Sequence, residues 1–345
     1  MNDKNLRILI VRTDRIGDVI LTLPMARLLK KHYPGSHITM LIRKYTEELV
    51  EDDKNIDQIL FYDDGNELLP FSQIITLIKQ QKFDIVFHTY PRFRLALMTW
   101  RSGIPVRVGT GYRWYSIFFN KKIYDHRKTA EYHELEYNLR LLSVLGIDYL
   151  SEDITPRIDV DAALSSRIRA LVRSLGVQDG QKIVILHPGS GGTARDWNPD
   201  NFGRLAHKIG QLNGVRVIIT GGKHEDGIVD RVKSNAGNSA IALVGKLNLK
   251  EYGALAKMAN VFIANSTGTL HIAAAVGTPV IGLYSQITAL SAKRWGPYTD
   301  KRTIFTPLNK PVDCTDCLTR KDRMCGCMET IAIEDVYQAS LKYLQ

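Results

Sequence analysis

Residues 261–284 read VFIANSTGTLHIAAAVGTPVIGLY. An apolar run ends at Asn265, a turn of Ser266, Thr267, Gly268 and Thr269 follows, a short alanine-rich helix starts near Leu270, and "PVIGLY" (279–284) resumes an apolar strand. Strand, helix and strand in so short a span make a parallel crossover unit, because a strand apolar on both faces has to be covered by helices on both. The turn also carries chemistry. N–H groups at a helix start lack intrahelical partners, Gly268 permits close approach, and two threonine hydroxyls lie nearby, so an anion fits there. His271, in the first turn, can donate to the same anion. A competing reading needs no ligand: small residues let the helix pack tightly on the sheet, and His271 is a satisfied surface histidine.

The same alternation runs through most of the chain. In the second half, strands are expected at 182–188, 215–221, 240–245, 261–265 and 279–284, with a helix opening at 163–175 and another begun by a capping box at Asn248 and Glu251. In the first half they are expected at 7–11, 37–42, 58–62, 84–90 and 106–110, with helices at 18–33, 43–51, 70–81, 92–102 and 130–145. The turn-rich, acidic stretch 146–162 reads as a linker. The fold class is therefore α/β, two doubly wound Rossmann-like domains in series, 1–160 and 161–330, facing each other across a cleft. Such sheets bind ligands at the carboxyl ends of their strands, so the loops there are the candidate sites.

"ILHPGSGGTARDWNPDNF" (185–202) repeats the strand, glycine loop and helix design. Gly189, Ser190, Gly191 and Gly192 precede Arg195, whose guanidinium can pair two phosphate oxygens at once. One glycine-rich loop is weak evidence. With the turn at 266–269 and "TGGKHED" (220–226), which contributes Gly222 and Glu225, a nucleotide-diphosphate ligand is the better reading. The first half has no G-x-G-x-x-G and no G-x-x-x-x-G-K-[ST]. Its first strand instead empties into "RTDRIGD" (12–18), where Asp18 follows a flexible Gly17 at the start of a helix. A carboxylate there suits a general base, and a plain N-cap is the alternative.

The net charge of +10 is uneven, since residues 166–345 hold 23 Lys/Arg against 14 Asp/Glu while 1–165 hold 23 against 22. Within the first half, 92–128 carries nine Lys/Arg, eight aromatics and only Asp125 as an acid. That composition suits an acidic ligand or an anionic membrane surface, or else a core helix and strand with solvated charges between them. No run of about 18 apolar residues occurs and the N-terminus lacks the pattern of a secretory signal, so a cytoplasmic protein is expected. Cys314, Cys317, Cys325 and Cys327 are spaced C-x2-C-x7-C-x-C, and four clustered thiols in a reducing compartment suggest structural zinc or iron rather than disulfides. No nucleic-acid-binding module is recognisable. A nucleotide-sugar epimerase would share the fold and a donor pocket while needing no acceptor site.

Taken in order, "VRTDRIGDVILTLP" (11–24), "HPGSGGTARDWNPDNFGRLA" (187–206), "IITGGKHED" (218–226) and "NSTGTLHIAAAVGTPVIGLYS" (265–285) resemble glycosyltransferase family 9, the ADP-heptose:lipopolysaccharide heptosyltransferases, over nearly the whole chain. The resemblance implies a GT-B fold with the donor on the second domain and the acceptor on the first. It implies inverting, metal-independent transfer with no catalytic cofactor, and a C-terminal helix in 331–345 packing back on the first domain. By position, the family's base falls on Asp18; Asp14 and Arg15 lie where family members vary and are assigned acceptor contacts at most, with Gly17 beside them and Arg113 added from the basic segment 92–128. Donor contacts fall on Gly189, Ser190, Arg195, Gly222, Glu225, Ser266, Thr267, Gly268, Thr269 and His271. Ser266 stands where the family has an acidic residue that helps hold the sugar, which leaves the donor sugar open. The implied partners are ADP-heptose and an acidic glycolipid at the inner membrane surface. The alternatives are a protein (autotransporter) acceptor or a different nucleotide sugar; the subgroup that glycosylates autotransporters is similar in having a four-cysteine iron site.

Overall fold

The structure, a computed structural model, describes residues 5–192, 194–319 and 326–345. The chain divides into two compact units, Met1–Arg127 with Glu131–Arg157, and Lys128–Ala130 with Ile158–Gln345.

In the first unit, β1 (Arg7–Val11), β2 (His37–Ile42), β3 (Gln58–Phe61), β4 (Ile85–His88), β5 (Val106–Thr110) and β6 (Lys121–Ile123) form one parallel sheet in the order β3-β2-β1-β4-β5-β6. β1 lies in the middle, with Ile8, Leu9, Ile10 and Val11 all fully buried, as an interior strand covered on both faces requires. On one face, Leu9, Val11, Leu41 and Val86 pack against Ile74 and Ile78 of the helix Phe71–Gln81 and Leu95 and Met98 of the helix Phe93–Arg101. Both helices were expected from their periodicity. β6, "KKI", was not; three residues with two exposed lysines carry no apolar signal, and lysine is a residue that keeps a sheet edge from pairing further.

The expected helix 18–33 is two pieces, Ile16–Ile20 and Leu23–His32. Pro24 sits in the first turn of the second piece, where its missing N–H costs nothing; a continuous helix would have needed that donor. The segment expected as a helix at 43–51 is a 3-10 turn, Lys44–Leu49.

The second unit repeats the design. β7 (Lys182–His187), β8 (Val215–Gly221), β9 (Ala240–Val244), β10 (Val261–Asn265), β11 (Val280–Leu283) and β12 (Arg302–Phe305) lie in the parallel order β12-β11-β10-β7-β8-β9. The alanine-rich helix Gly268–Ala275 packs close: a Cβ on Gly282 of β11 would stand 3.2 Å from Leu270 and 2.7 Å from the Tyr284 ring. The capping box at Asn248 and Glu251 is present. The C-terminal helix, Ile333–Leu341, contributes Val336 and Ala339 to the second unit's core with Phe202, Leu205 and Ile209, and Trp197 Nε1 donates to the Ile331 carbonyl at 3.1 Å.

Candidate functional site

Each sheet reverses its strand order once, between β1 and β4 in the first unit and between β7 and β10 in the second. Loops diverge at such points and leave a crevice at the strands' carboxyl ends. Asp14, Arg15 and Asp18 lie at the first of these places, and the glycine loop after β7 and the turn after β10 at the second, each within its own unit.

At the tip of β1 the chain turns on a buried charge network. The Arg12 side chain is only 1% exposed. Its Nε lies 2.7 Å from Asp14 Oδ1, its Nη2 donates to Asp18 Oδ1, and its Nη1 reaches the Thr89 carbonyl and Asn138 Oδ1 at 3.3 Å and Glu134 Oε1 at 3.6 Å. Arg127 holds Glu134 from the other side. Burial costs the guanidinium its hydration, and the three carboxylates more than offset this, so its pKa is raised. Asp14 shows the reverse balance: burial, with Asp18 nearby and hydrogen-bonded to it, outweighs Arg12 and pushes its carboxyl up to about 8. Asp18 is not an N-cap. The helix Ile16–Ile20 is preceded by Arg15 as its N-cap, which puts Asp18 at the third helical position with its carboxylate turned back to Arg12.

Beside this network a cavity of about 390 Å³ is lined by Thr13, Asp14, Arg15, Arg43, Tyr45, Tyr62, Leu68, Tyr90, Arg92 and Leu95. Three arginines and three tyrosines come to it from the ends of β1 to β4, with Arg43 fixed by the Thr13 carbonyl at 3.2 Å and Tyr45 donating to the Asp14 carbonyl at 2.7 Å. Such walls suit an anionic, hydroxyl-rich ligand. Of the expected acceptor residues Asp14 and Arg15 line it, Gly17 is buried in the helix behind, and Arg113, exposed at the start of a 3-10 turn, is outside the lining. Arg43, Tyr90 and Arg92 were missed.

In the second unit the loop after β7 is tied at both ends by Asn265, whose Nδ2 donates to the Pro188 carbonyl at 2.6 Å and whose Oδ1 accepts the Trp197 N–H at 2.9 Å. Ser190 in this loop is buried. Glu225 closes over it. Its Oε2 accepts the Gly222 N–H at 2.8 Å and its Oε1 the Gly191 N–H at 3.3 Å, and a Cβ on Gly189 would stand 2.0 Å from Oε1, so a side chain there would push this carboxylate aside. The glycine-loop donors expected to meet a diphosphate are thus met here by a carboxylate. The donors of the helix Gly268–Ala275 are the other group at this edge: Thr267, its N-cap, is extended (φ −145°, ψ 159°) and makes no side-chain cap bond. Ser266 hydrogen-bonds the buried Tyr284, and Thr269 has its hydroxyl buried. His271 is buried rather than at the surface, which lowers its pKa to about 4 and leaves it neutral at pH 7. His187 is likewise lowered to about 4, with Nδ1 3.0 Å from both Thr220 Oγ1 and the Tyr252 hydroxyl. Arg195 Nη2 donates to the Cys317 carbonyl, which joins the arginine to the cysteine loop.

The sulfurs of Cys314, Cys317 and Cys327 all lie within 4.8 Å of one another, with Cys314 and Cys327 at 3.8 Å. That separation is too long for a disulfide, and it matches the edge of a tetrahedron of thiolates about 2.3 Å from a central metal, which is roughly 3.8 Å. Cys325 lies outside the described residues. No helix among the described residues is long and apolar enough to cross a membrane.

Two Rossmann-like parallel sheets of this strand order define the class of fold, GT-B. The model of glycosyltransferase family 9 (heptosyltransferase) matches residues 72–327, and the chain belongs to that family. It is 28% identical to lipopolysaccharide heptosyltransferase 3 of Escherichia coli K12, over 95% of each chain. The crystal structure of a family 9 glycosyl transferase from Veillonella parvula superposes with a TM-score of 0.85 at 22% identity, covering 100% of this chain and 98% of that one. TibC, the dodecameric iron-containing heptosyltransferase of enterotoxigenic E. coli, solved with ADP-D-beta-D-heptose, has a TM-score of 0.58 at 16% identity, covering 100% of this chain and 78% of that one.

Proposed function

We propose that the protein is an inverting heptosyltransferase that moves heptose from ADP-heptose to a lipopolysaccharide core or related acidic surface-glycan acceptor, with Asp18 as its general base. The observation that carries this is the grip of buried Arg12 on Asp18 at the switch point of the first sheet. It fixes one carboxylate oxygen and thereby aims the side chain. Asp18 takes the proton of an acceptor hydroxyl as that oxygen attacks the anomeric carbon from the face opposite the nucleotide. The bond from that carbon to the diphosphate breaks as the new one forms, which inverts the configuration and releases ADP.

In this reading the acceptor's anionic head lies in the cavity with Arg15, Arg43 and Arg92. The departing diphosphate takes its hydrogen bonds from Arg195 and the first N–H groups of the helix Gly268–Ala275, with Thr267 and Thr269 beside them. Ser190, Gly222, Glu225, Ser266 and His271 complete the donor pocket, His271 as a neutral donor. Transfer needs no bound metal ion. Cys314, Cys317, Cys327 and Cys325 hold zinc or iron, which when bound braces the loop that carries the Cys317 carbonyl. The reading goes with a cytoplasmic protein working at the inner face of the membrane.

The test is an incubation of the purified protein with ADP-heptose and a panel of other nucleotide sugars, with lipopolysaccharide core and protein acceptors, read by mass spectrometry and by the anomeric configuration of the product. Transfer from ADP-heptose with inversion is expected. Retention, sugar isomerisation without an acceptor, or transfer from another nucleotide sugar alone would overturn it. The cysteine cluster favours a second reading, an autotransporter protein as acceptor, and the same assay separates the two.

A further inference from the structure

Phe93 and Trp100 are seven residues apart on the helix Phe93–Arg101, which puts them on one side of it. Trp114 and Ile117 are three apart in the 3-10 turn Trp114–Phe118, where such positions eclipse. All four project into solvent: Trp114 and Ile117 are each 74% exposed, Trp100 48% and Phe93 41%. The rings join the two elements into one surface, with centroids 4.8 Å apart for Phe93 and Trp114 and 5.4 Å for Trp100 and Phe118. Buried Ala96, Tyr115 and Phe119 form the base beneath, and the Tyr115 hydroxyl donates to the Pro91 carbonyl at 2.7 Å. Large apolar side chains exposed singly need no explanation, but a contiguous, buttressed set does.

Arg92 stands at the start of this helix, Arg101 at its end and Arg113 just before the 3-10 turn, and all three are exposed. The one acid of the segment, Asp125, is engaged by Arg140 at 2.8 and 2.9 Å, and among the described residues none of those three cations is in an ion pair. We propose that this face docks on an anionic phospholipid surface, with Trp114 and Ile117 entering the interface and the cations meeting lipid phosphates. Tryptophan beside Lys and Arg is the composition that a membrane interface favours, each cation adding to the attraction. A second copy of the chain is the poorer occupant, since a two-fold contact would set these cations against themselves. Arg92 adjoins Phe93 and also lines the cavity with Asp14 and Arg15, so a lipid-anchored molecule held at this face has its head group beside that cavity. Docking does not depend on which sugar is moved.

The full protein is sedimented with vesicles of phosphatidylcholine alone and of phosphatidylcholine mixed with phosphatidylglycerol. Binding is expected to the anionic vesicles, falling as salt is raised. Arg101→Gln with Arg113→Gln should weaken it by about 25-fold, roughly fivefold per cation. Trp114→Ser with Ile117→Ser should weaken it by at least about tenfold at an unchanged thermal midpoint, because both side chains are mostly in solvent. Equal binding to both vesicle types, no binding to either, or variants that bind like the parent would overturn the proposal. So would self-association without vesicles that the Trp114/Ile117 variant abolishes, which would give the face to a second copy.

Discussion

Asp14→Asn tests whether burial or Arg12 decides the charge at the tip of β1. The carboxyl is pushed by burial up to about 8 in the folded protein from the 3.8 of a free aspartate, despite Arg12 Nε at 2.7 Å. The sign follows from proton counting. Between about pH 4 and pH 8 the folded chain keeps a proton on Asp14 that the unfolded chain has released, so stability falls as pH rises through that window, by up to about 1.4 kcal/mol per pH unit. Asparagine is close in shape, can donate to Asp18 as the protonated acid does, and has no proton to lose. The difference between variant and parent should therefore shift in favour of the variant by about 3 kcal/mol from pH 5 to pH 7, while contributions common to both cancel. Urea midpoints for the two proteins at pH 5, 6 and 7 measure it, with the two units followed separately because one transition is not guaranteed in a chain of this organisation. A difference that stays constant with pH would show that Asp14 is ionised when folded, and that Arg12 wins over desolvation.

Other perturbations address the reaction and the metal. Asp18→Asn keeps the size of the side chain but cannot take a proton, so kcat should drop by about two to four orders of magnitude while calorimetric ADP binding survives; a nearly fully active variant would move the base elsewhere. Arg15→Gln should raise the acceptor KM by about tenfold with donor KM unchanged, the worth of one charge-assisted hydrogen bond. Arg195→Ala should weaken ADP binding by about ten- to a hundredfold, read by titration calorimetry beside the thermal midpoint, since it also releases the Cys317 carbonyl. Elemental analysis should find about one zinc or iron per chain, lost in Cys317→Ser; metal-free protein prepared without chelator would contradict the cysteine reading.

Both sheets were legible because interior parallel strands are continuous apolar runs, as in "RILIV" and "VFIAN", whose ends fell within a residue or two of the expected ones. Of the four edge strands, β3 and β9 keep an apolar run and were expected, whereas "KKI" and "RTIF" break it with charged or polar residues, and so β6 and β12 went unseen. The candidate site was legible where a motif is local. Asp18 and the 266–271 turn are each one strand end and one helix start. Arg43, Tyr90 and Arg92 are contributed by strands that only the switch point brings together, and a sequence without strand order cannot pair them. Arg12 read as one more cation in a charged loop; its burial comes from Asn138 and Glu134, over a hundred positions along the chain. Glu225 was placed near the donor, yet nothing in "TGGKHED" says that its carboxylate occupies the N–H of Gly191.

The hold of Asn265 on Pro188 and Trp197 sets a rule for how this protein can be altered. One amide side chain at the end of β10 thus refers both the exit from β7 at Pro188 and the entry to the helix Pro199–Gly210 at Trp197 to the middle of the second sheet. Loop closure is tolerant of length, with a doubling costing only about 0.6 kcal/mol. Substitution of Asn265 would therefore release both ends of this loop at once, a larger disturbance than any single change within the loop.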